Sequence, residues 1–506
     1  MIPMTLGRIA TITGGVLHDA DGTPVPPDGP VAGLVVDGPV VTDSREAGPG
    51  GLYIARIGEH ADGHDYLPAA VAAGVVAALT SRPVTGAPTI VVPDVQEAFA
   101  ALASAVIAGI DSLVVIGITG SSGKTTTKDL LAAVLSTHGE TVANVGSLNS
   151  EVGVPLTVCR ATPTTRYLVL EMGARGIGHI RYLTDMTHPQ VAVVLNVGSA
   201  HVGEFGSREA IAAAKAELVE ALPVPGVAVL NAADPLVDAM VAPQGVRVLR
   251  VGTGPSADVR ARDIEMTPDG TARFVLATGS PSESAEVPVA LRLLGRHQVD
   301  NALAVAAVAT QLGMTPQALA QALGQAGPVS RYRMERHERP DGVTIVNDAY
   351  NANPESMAGA LRTLAHLGAD RRSWAVLGGM LELGPDAARA HTEIGALART
   401  LGVDEVLAVG DLARDIETGA RGIEAGANGS DGAAGADGTG GDDTPREGAD
   451  RINTRVRWVN DIDAAFDLLE AELRQGDVVL LKSSRDSGLR HLGDRLLPRI
   501  DSEVGS

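Results

Sequence analysis

A single cysteine, Cys159, leaves no disulfide possible within the chain and fits a reducing compartment. It stands in "GVPLTVCR" without an evident partner and is expected to be a small buried apolar residue. Aromatic residues are scarce at 2%, and 61 acidic residues outweigh 40 Lys and Arg, giving a formal net charge of −21. A chain with neither stacking platforms nor a basic footprint makes a poor nucleic-acid binder. Its acidic surface mainly favours solubility, so any anionic substrate must be held by a local basic cluster. Long apolar runs are missing too. The longest, "LPAAVAAGVVAAL", is Ala-rich and about a dozen residues, too short to span a membrane. It reads as a packed helix running into a strand. The opening "MIPMTLGRIA" has no basic segment followed by an apolar run, so no secretory leader is expected and the chain should be cytoplasmic.

What is present is α/β texture. The 506 residues are too many for one core and suggest two to four domains. The first hundred or so mix short strands with turns. From Ser112, continuous apolar runs alternate with helical patterns: "SLVVIGITG", "RYLVLEMGA", "VAVVLNVGS", "GVAVLNAAD". That alternation predicts a parallel, doubly wound sheet. A break at Gly327-Pro328 precedes a second series, "GVTIVNDAY", "SWAVLGGM", "EVLAVGD" and "DVVLLKSS". The expected division is 1–110, 111–327 and 328–506, with Gly327-Pro328 as a hinge. A low-complexity Gly/Ala/Asp insertion at about 421–450 cannot bury enough apolar surface to offset its ordering entropy.

The stretch "VVIGITGSSGKTTTKD" has the strand–turn–helix context of a phosphate loop. Its spelling departs from the common pattern, because Ile118 stands where the first glycine belongs. Gly120, Ser121, Ser122, Gly123, Lys124, Thr125 and Thr126 are the expected nucleotide-phosphate residues, with Lys124 as a point charge and Thr125 as a hydroxyl for Mg²⁺. Glu171 ends one apolar strand and His201 lies just beyond another, where ligands sit in open α/β sheets. They could carry a carboxylate and an imidazole to the metal; a solvated strand end and a loop histidine are the plainer readings. In "SREAIAAAKAELVEAL", Ile211, Lys215, Leu218 and Leu222 share one helical face, and Glu209, Glu217 and Glu220 fall on the far side. Lys215 is then either a snorkelling lysine or a desolvated, neutral amine able to take up CO₂ as a carbamate.

The ordered set "GITGSSGKTTTKD", "EMGARGIGHI", "NVGSAHVGEFGSREAIAAAKAE", "GRHQVDNALAVAAV" and "NDAYNANPESM" resembles the Mur ligases, from "TDSREAGPGGLYIA" to "LLKSSRDSGLR". Within that family it looks most like the branch that joins D-alanyl-D-alanine to UDP-N-acetylmuramoyl-tripeptide. The resemblance implies a three-domain α/β protein: an N-terminal UDP-sugar domain, a central ATPase domain and a Rossmann-like C-terminal domain that brings the amine. It implies ATP, Mg²⁺ and a carbamate on Lys215 as cofactors; a monomer is expected, and the sequence does not fix the oligomeric state.

By position, Ser44 and Arg45 would contact UDP, and Asn149 the muramoyl-peptide. Glu171, His201 and Lys215 match metal positions. Asn301 would lie near adenine, and Arg331 and Asp348 near the phosphates and ribose. Tyr350, Asn351, Asn353, Lys482, Ser484 and Arg485 would line the substrate site; "NDAYNANPESM" is equally a strand end, an Asn cap and Pro354 at the first helical position. Lys124, His201 and Lys215 are the expected catalytic residues. Gly379 stands where relatives often carry an acid, so it receives no role. The D-N-P-R signature of the diaminopimelate-adding relative is absent. A folylpolyglutamate synthase is disfavoured by "TDSR", and a nucleotide-dependent regulatory protein by the Lys124, Glu171, His201 and Lys215 set.

Overall fold

The computed structural model describes residues 1–199, 202–279, 285–422 and 454–497. His201 and nearly all of the Gly/Ala/Asp insertion lie outside the described residues.

Three larger sheets follow one another along the chain. The first has five strands in the order Val16–His18, Thr89–Val91, Ala77–Thr80, Leu52–Ile54, Val40–Val41. Only the first pairing is antiparallel. The "LPAAVAAGVVAAL" stretch does pass from a helix, Leu67–Ala72, into the strand Ala77–Thr80.

The central sheet has nine strands. At its heart Val114–Thr119 lies between Tyr167–Glu171 and Val191–Val194, with Val227–Asn231 and Arg247–Gly252 beyond, all parallel. These strands are continuous apolar runs because helices cover both faces and no side faces water. The strand order reverses beside Val114–Thr119, so a crevice opens at its C-terminal end. The far edge departs from the expected parallel sheet. Val259–Met266, Thr271–Thr278 and Ala285–Leu294 form an antiparallel meander. In the last strand Val287, Val289, Leu291 and Leu293 are buried while Glu286, Pro288, Ala290 and Arg292 are exposed. One face packs on the helices Gln298–Gln311 and Pro316–Gln325 and the other meets solvent, as antiparallel sheets allow.

The third sheet has six strands, ordered Glu335–Glu338, Thr344–Asn347, Val478–Lys482, Ser373–Leu377, Glu405–Val409, Arg455–Val459. All pairings but the first are parallel. A single apolar cluster runs from the N-terminal unit into one face of the central sheet, bridged by the helix Val95–Ala108. Cys159 is buried in it, and burial pushes its thiol up to about 12, consistent with an inert apolar role. Among the described residues, no helix is long and apolar enough to cross a membrane.

Candidate active site

The strand Val114–Thr119 delivers the chain to the phosphate loop, and Gly123 ends it. Gly123 has φ +81° as the N-cap of the helix Lys124–Ser136. A Cβ there would also sit 2.7 Å from the Asn301 Oδ1. Both the left-handed backbone and the close approach demand glycine. The loop is braced from the next strand end. Asn196 accepts from the Ser121 and Ser122 N–H groups at 3.0 and 2.8 Å, through its carbonyl and side chain respectively. The first N–H groups of any helix lack an intrahelical partner, and Lys124, Thr125 and Thr126 line the crevice, a ready anion site.

A cleft of about 1520 Å³ opens over this loop. Lys124 lies in it, donating to the Gly120 carbonyl at 2.7 Å. Burial pushes its amine below the usual lysine range, opposed by the nearby Glu171. Glu171 is 1% exposed. Its Oε1 accepts from Asn149 Nδ2 at 2.6 Å, and its Oε2 is buried with no hydrogen-bond partner among the described residues. Such an orphaned carboxylate oxygen is costly unless something else claims it. Thr125 and Lys215 line the same cleft, and Lys215 is 5% exposed with no hydrogen-bond or ion-pair partner among the described residues. Burial, and then the charge of Lys124, bring the Lys215 amine down from 10.5 to about 7. The donors fit a hard cation: a free carboxylate oxygen and a hydroxyl, with a lysine able to become an anionic carbamate. Among the described residues no cluster of three His, Cys, Asp or Glu side chains suits a metal by itself.

Lys215 stands in the helix Arg208–Glu220 with Ile211 and Leu218 buried beside it, as the spacing predicts. Glu217 departs from that pattern. It is buried, and its carboxylate accepts from the Gly178 and Arg181 N–H groups at 2.6 and 2.8 Å, capping the helix His179–Thr187. A neighbouring helix N-terminus, not the periodicity of its own helix, decides its place.

The opposite wall comes from the C-terminal ends of the third sheet. Lys482 is 2% exposed and pairs with Asp348 at 2.5 Å, and it donates to the Asn351 carbonyl at 3.1 Å. Tyr350 is flanked by the guanidinium groups of Arg333 and Arg485 at 4.3 and 5.9 Å from its ring centre. Asn353 caps the helix Pro354–Leu367 through a capping box, with Pro354 in its first turn. The same side chain bonds Ser122 of the phosphate loop at 3.2 Å. Two further contacts span the cleft: Glu355 accepts from the Ser199 N–H at 2.8 Å, and the Glu382 carbonyl from the Gly203 N–H at 3.2 Å.

Several expected residues lie elsewhere. Arg331 is not brought to the cleft; it pairs with Asp494 at 2.6 Å and lies over Tyr332. Arg333 takes its place, donating to the Thr125 and Ser147 hydroxyls at 3.2 Å each. Ser484 holds a loop instead, accepting from the Leu381 N–H at 3.0 Å. Ser44 and Arg45 stand apart on the N-terminal unit, where Arg45 pairs with Asp43. The sequence reading missed Arg333, Ser147 and the half-buried His297, all of which line the cleft. For His297 a signal existed, since it falls within "GRHQVDNAL" four residues before Asn301.

Comparisons with known proteins fit this arrangement. Family profiles match residues 39–111 (Mur ligase family, catalytic domain), 118–309 (Mur ligase middle domain) and 332–485 (Mur ligase, glutamate ligase domain). The UDP-N-acetylmuramoyl-tripeptide–D-alanyl-D-alanine ligase of Mycobacterium tuberculosis is 47% identical, over 100% of this chain and 99% of its own. The ligase of the same name from Escherichia coli is 36% identical over 83% of this chain and 88% of its own. Among solved structures, MurF from Acinetobacter baumannii superposes with a TM-score of 0.80 at 29% identity, covering 98% of both chains. MurF ligase from Thermotoga maritima, in complex with ADP, gives a TM-score of 0.73 at 27% identity, covering 90% of this chain and 96% of that one.

Proposed function

The chain belongs to the Mur ligase family, and on that premise we propose that it joins D-alanyl-D-alanine to UDP-N-acetylmuramoyl-tripeptide, with ATP cleaved to ADP and phosphate. The product is the pentapeptide precursor of peptidoglycan. The observation that carries this reading is the cleft, in which a phosphate loop with a half-buried lysine faces a second basic wall from another sheet.

Condensing a carboxylate with an amine is uphill in water, and a carboxylate is a poor electrophile. The tripeptide carboxylate therefore attacks the γ-phosphorus of ATP, giving an acyl phosphate and ADP. The dipeptide amine then attacks the acyl carbon, the amine loses a proton, and phosphate leaves. In the first step two anions meet. Lys124 and the first-turn N–H groups would offset that repulsion, and Arg333 would add a guanidinium from across the cleft. When bound, Mg²⁺ supplies Lewis-acid charge beside the phosphates. Thr125, Glu171 and Lys215 are the residues to hold it, the last after its neutral amine adds CO₂ and sheds a proton. His201 is proposed for the same set on resemblance. Asn301 would border adenine, and Asp348 the ribose. Asn149 would meet the muramoyl-peptide, and Ser44 and Arg45 the UDP end on the first unit. Tyr350, Asn351, Asn353, Lys482 and Arg485 are the groups for the acceptor side. The contacts that span the cleft would keep water from the acyl phosphate.

The test is phosphate release from ATP with UDP-N-acetylmuramoyl-tripeptide, with and without D-alanyl-D-alanine, alongside mass analysis of the product. Release that depends on the dipeptide and yields a pentapeptide is expected. Release only with another amine would move the chain to a different branch of the family. The carbamate has its own test: ¹³C-bicarbonate should give a carbamate resonance that Lys215→Ala abolishes.

A further inference from the structure

The helix that begins at Lys124 carries a second lysine one turn on. Lys128 is 1% exposed, yet no step of the reaction uses it. A buried ammonium needs strong compensation, and its partners here are informative. It pairs with Asp129, whose other oxygen accepts the Ser330 N–H of the inter-sheet linker at 3.2 Å. Docking that linker would need only this pair. Lys128 also donates to the Asn144 carbonyl at 2.7 Å, at the start of the segment 144–149.

That segment touches the site in three ways. Asn144 accepts from the Glu171 N–H at 2.6 Å through Oδ1 and donates to the Leu148 carbonyl through Nδ2. Ser147 meets the Thr125 hydroxyl at 3.2 Å. Asn149 donates to the Glu171 Oε1 at 2.6 Å, which leaves Oε2 without a partner among the described residues. Both the backbone and the side chain of Glu171 are therefore set by a segment whose anchor is the Lys128 ammonium.

We propose that Lys128 is a positioning residue that aims the Glu171 carboxylate at a divalent cation by fixing residues 144–149. The proposal rests on the reading of Glu171 as a cation ligand. Partners that bond a metal ligand directly typically change metal affinity about ten- to a hundredfold when lost; Lys128 acts through such partners, Asn144 and Asn149, by holding the Asn144 carbonyl.

The experiment titrates full-length protein with Mn²⁺ alone, following the free-ion electron paramagnetic resonance signal, with thermal unfolding in parallel. Glu171→Gln should weaken Mn²⁺ binding, and Lys128→Gln should weaken it by about tenfold, the lower end of that range, with Lys128→Arg recovering most of the loss. Lys128→Gln that melts earlier but binds Mn²⁺ as the parent does would overturn the proposal, leaving Lys128 a core ion pair only. If Lys128→Gln does not fold, Asn144→Ala removes the far end of the link while sparing the Lys128–Asp129 pair. Parental Mn²⁺ affinity in that variant would equally overturn it. Unchanged binding in Glu171→Gln would instead defeat the ligand reading, and this proposal with it.

Discussion

Two buried lysines face the cleft from opposite walls. Lys482, at the end of a strand of the third sheet, has a carboxylate at 2.5 Å and a backbone carbonyl besides. Lys215, on a helix of the central unit, has no partner among the described residues, and its nearest charged influence is another lysine. Their exposure is nearly the same, so burial alone does not decide what a lysine is for. The sign of its neighbours does. A carboxylate makes the buried ammonium a fixed cation, suited to holding an anionic substrate. A second cation makes the free amine the cheaper form, suited to nucleophilic capture of CO₂.

The contrast breaks most sharply if Lys482 loses its acid. Asp348→Asn should destabilise the protein by about 3 to 5 kcal/mol, because it strands a buried charge. The double change Asp348→Asn with Lys482→Met should recover most of that loss. Urea unfolding of both variants checks it, and a double variant no better than the single would mean that the pair is not compensating burial.

Lys215 should behave in the opposite way. In the unfolded chain its amine stays protonated to about pH 10.4; in the folded chain it gives up its proton above about 7. Between those limits the unfolded state binds more protons, so this group's contribution to stability rises with pH. The slope should approach about 1.4 kcal/mol per pH unit and vanish below 7, where the folded protein carries the buried charge. Lys215→Met should remove that slope and cost little near pH 7. Unfolding midpoints of parent and variant from pH 6 to 10, without bicarbonate or metal, measure the difference; parallel curves would erase the contrast with Lys482.

The parallel strands were legible because buried parallel strands are continuous apolar runs, and the loop because a strand running into G-K-T has few other meanings. The antiparallel edge at 259–294 was not: its strands alternate, and in "AEVPVALRLL" the outward positions hold Pro288 and Ala290 rather than an unbroken polar row. Periodicity placed Lys215 correctly and Glu217 wrongly for one reason. A helical wheel knows its own helix, and Glu217 answers to the N-terminus of another. Glu171 was legible as a strand end, but the loss of one oxygen to Asn149 depends on a contact across 22 residues of chain.

The exchange of Arg331 for Arg333 has a backbone cause. Tyr332 and Met334 both have positive φ, +60° and +51°, so the chain between the linker and the third sheet does not alternate as a strand would. Those two turns send Arg331 out to Asp494 and Arg333 in to Thr125, Ser147 and Tyr350. Non-glycine residues in that region are strained and persist only where their surroundings fix them. Arg333 would then add a second positive charge opposite Lys124 once Lys215 is neutral. Arg333→Ala should lower kcat by about tenfold or more, as expected for losing one preorganised donor at developing phosphoryl charge. Arg331→Ala, which removes an exposed ion pair of about 1 kcal/mol at most, should leave turnover near that of the parent. Steady-state kinetics of the two variants decide between them. A larger loss at Arg331 would mean that the segment reorganises in the ligand complex and that the opposite wall is built from a different arginine.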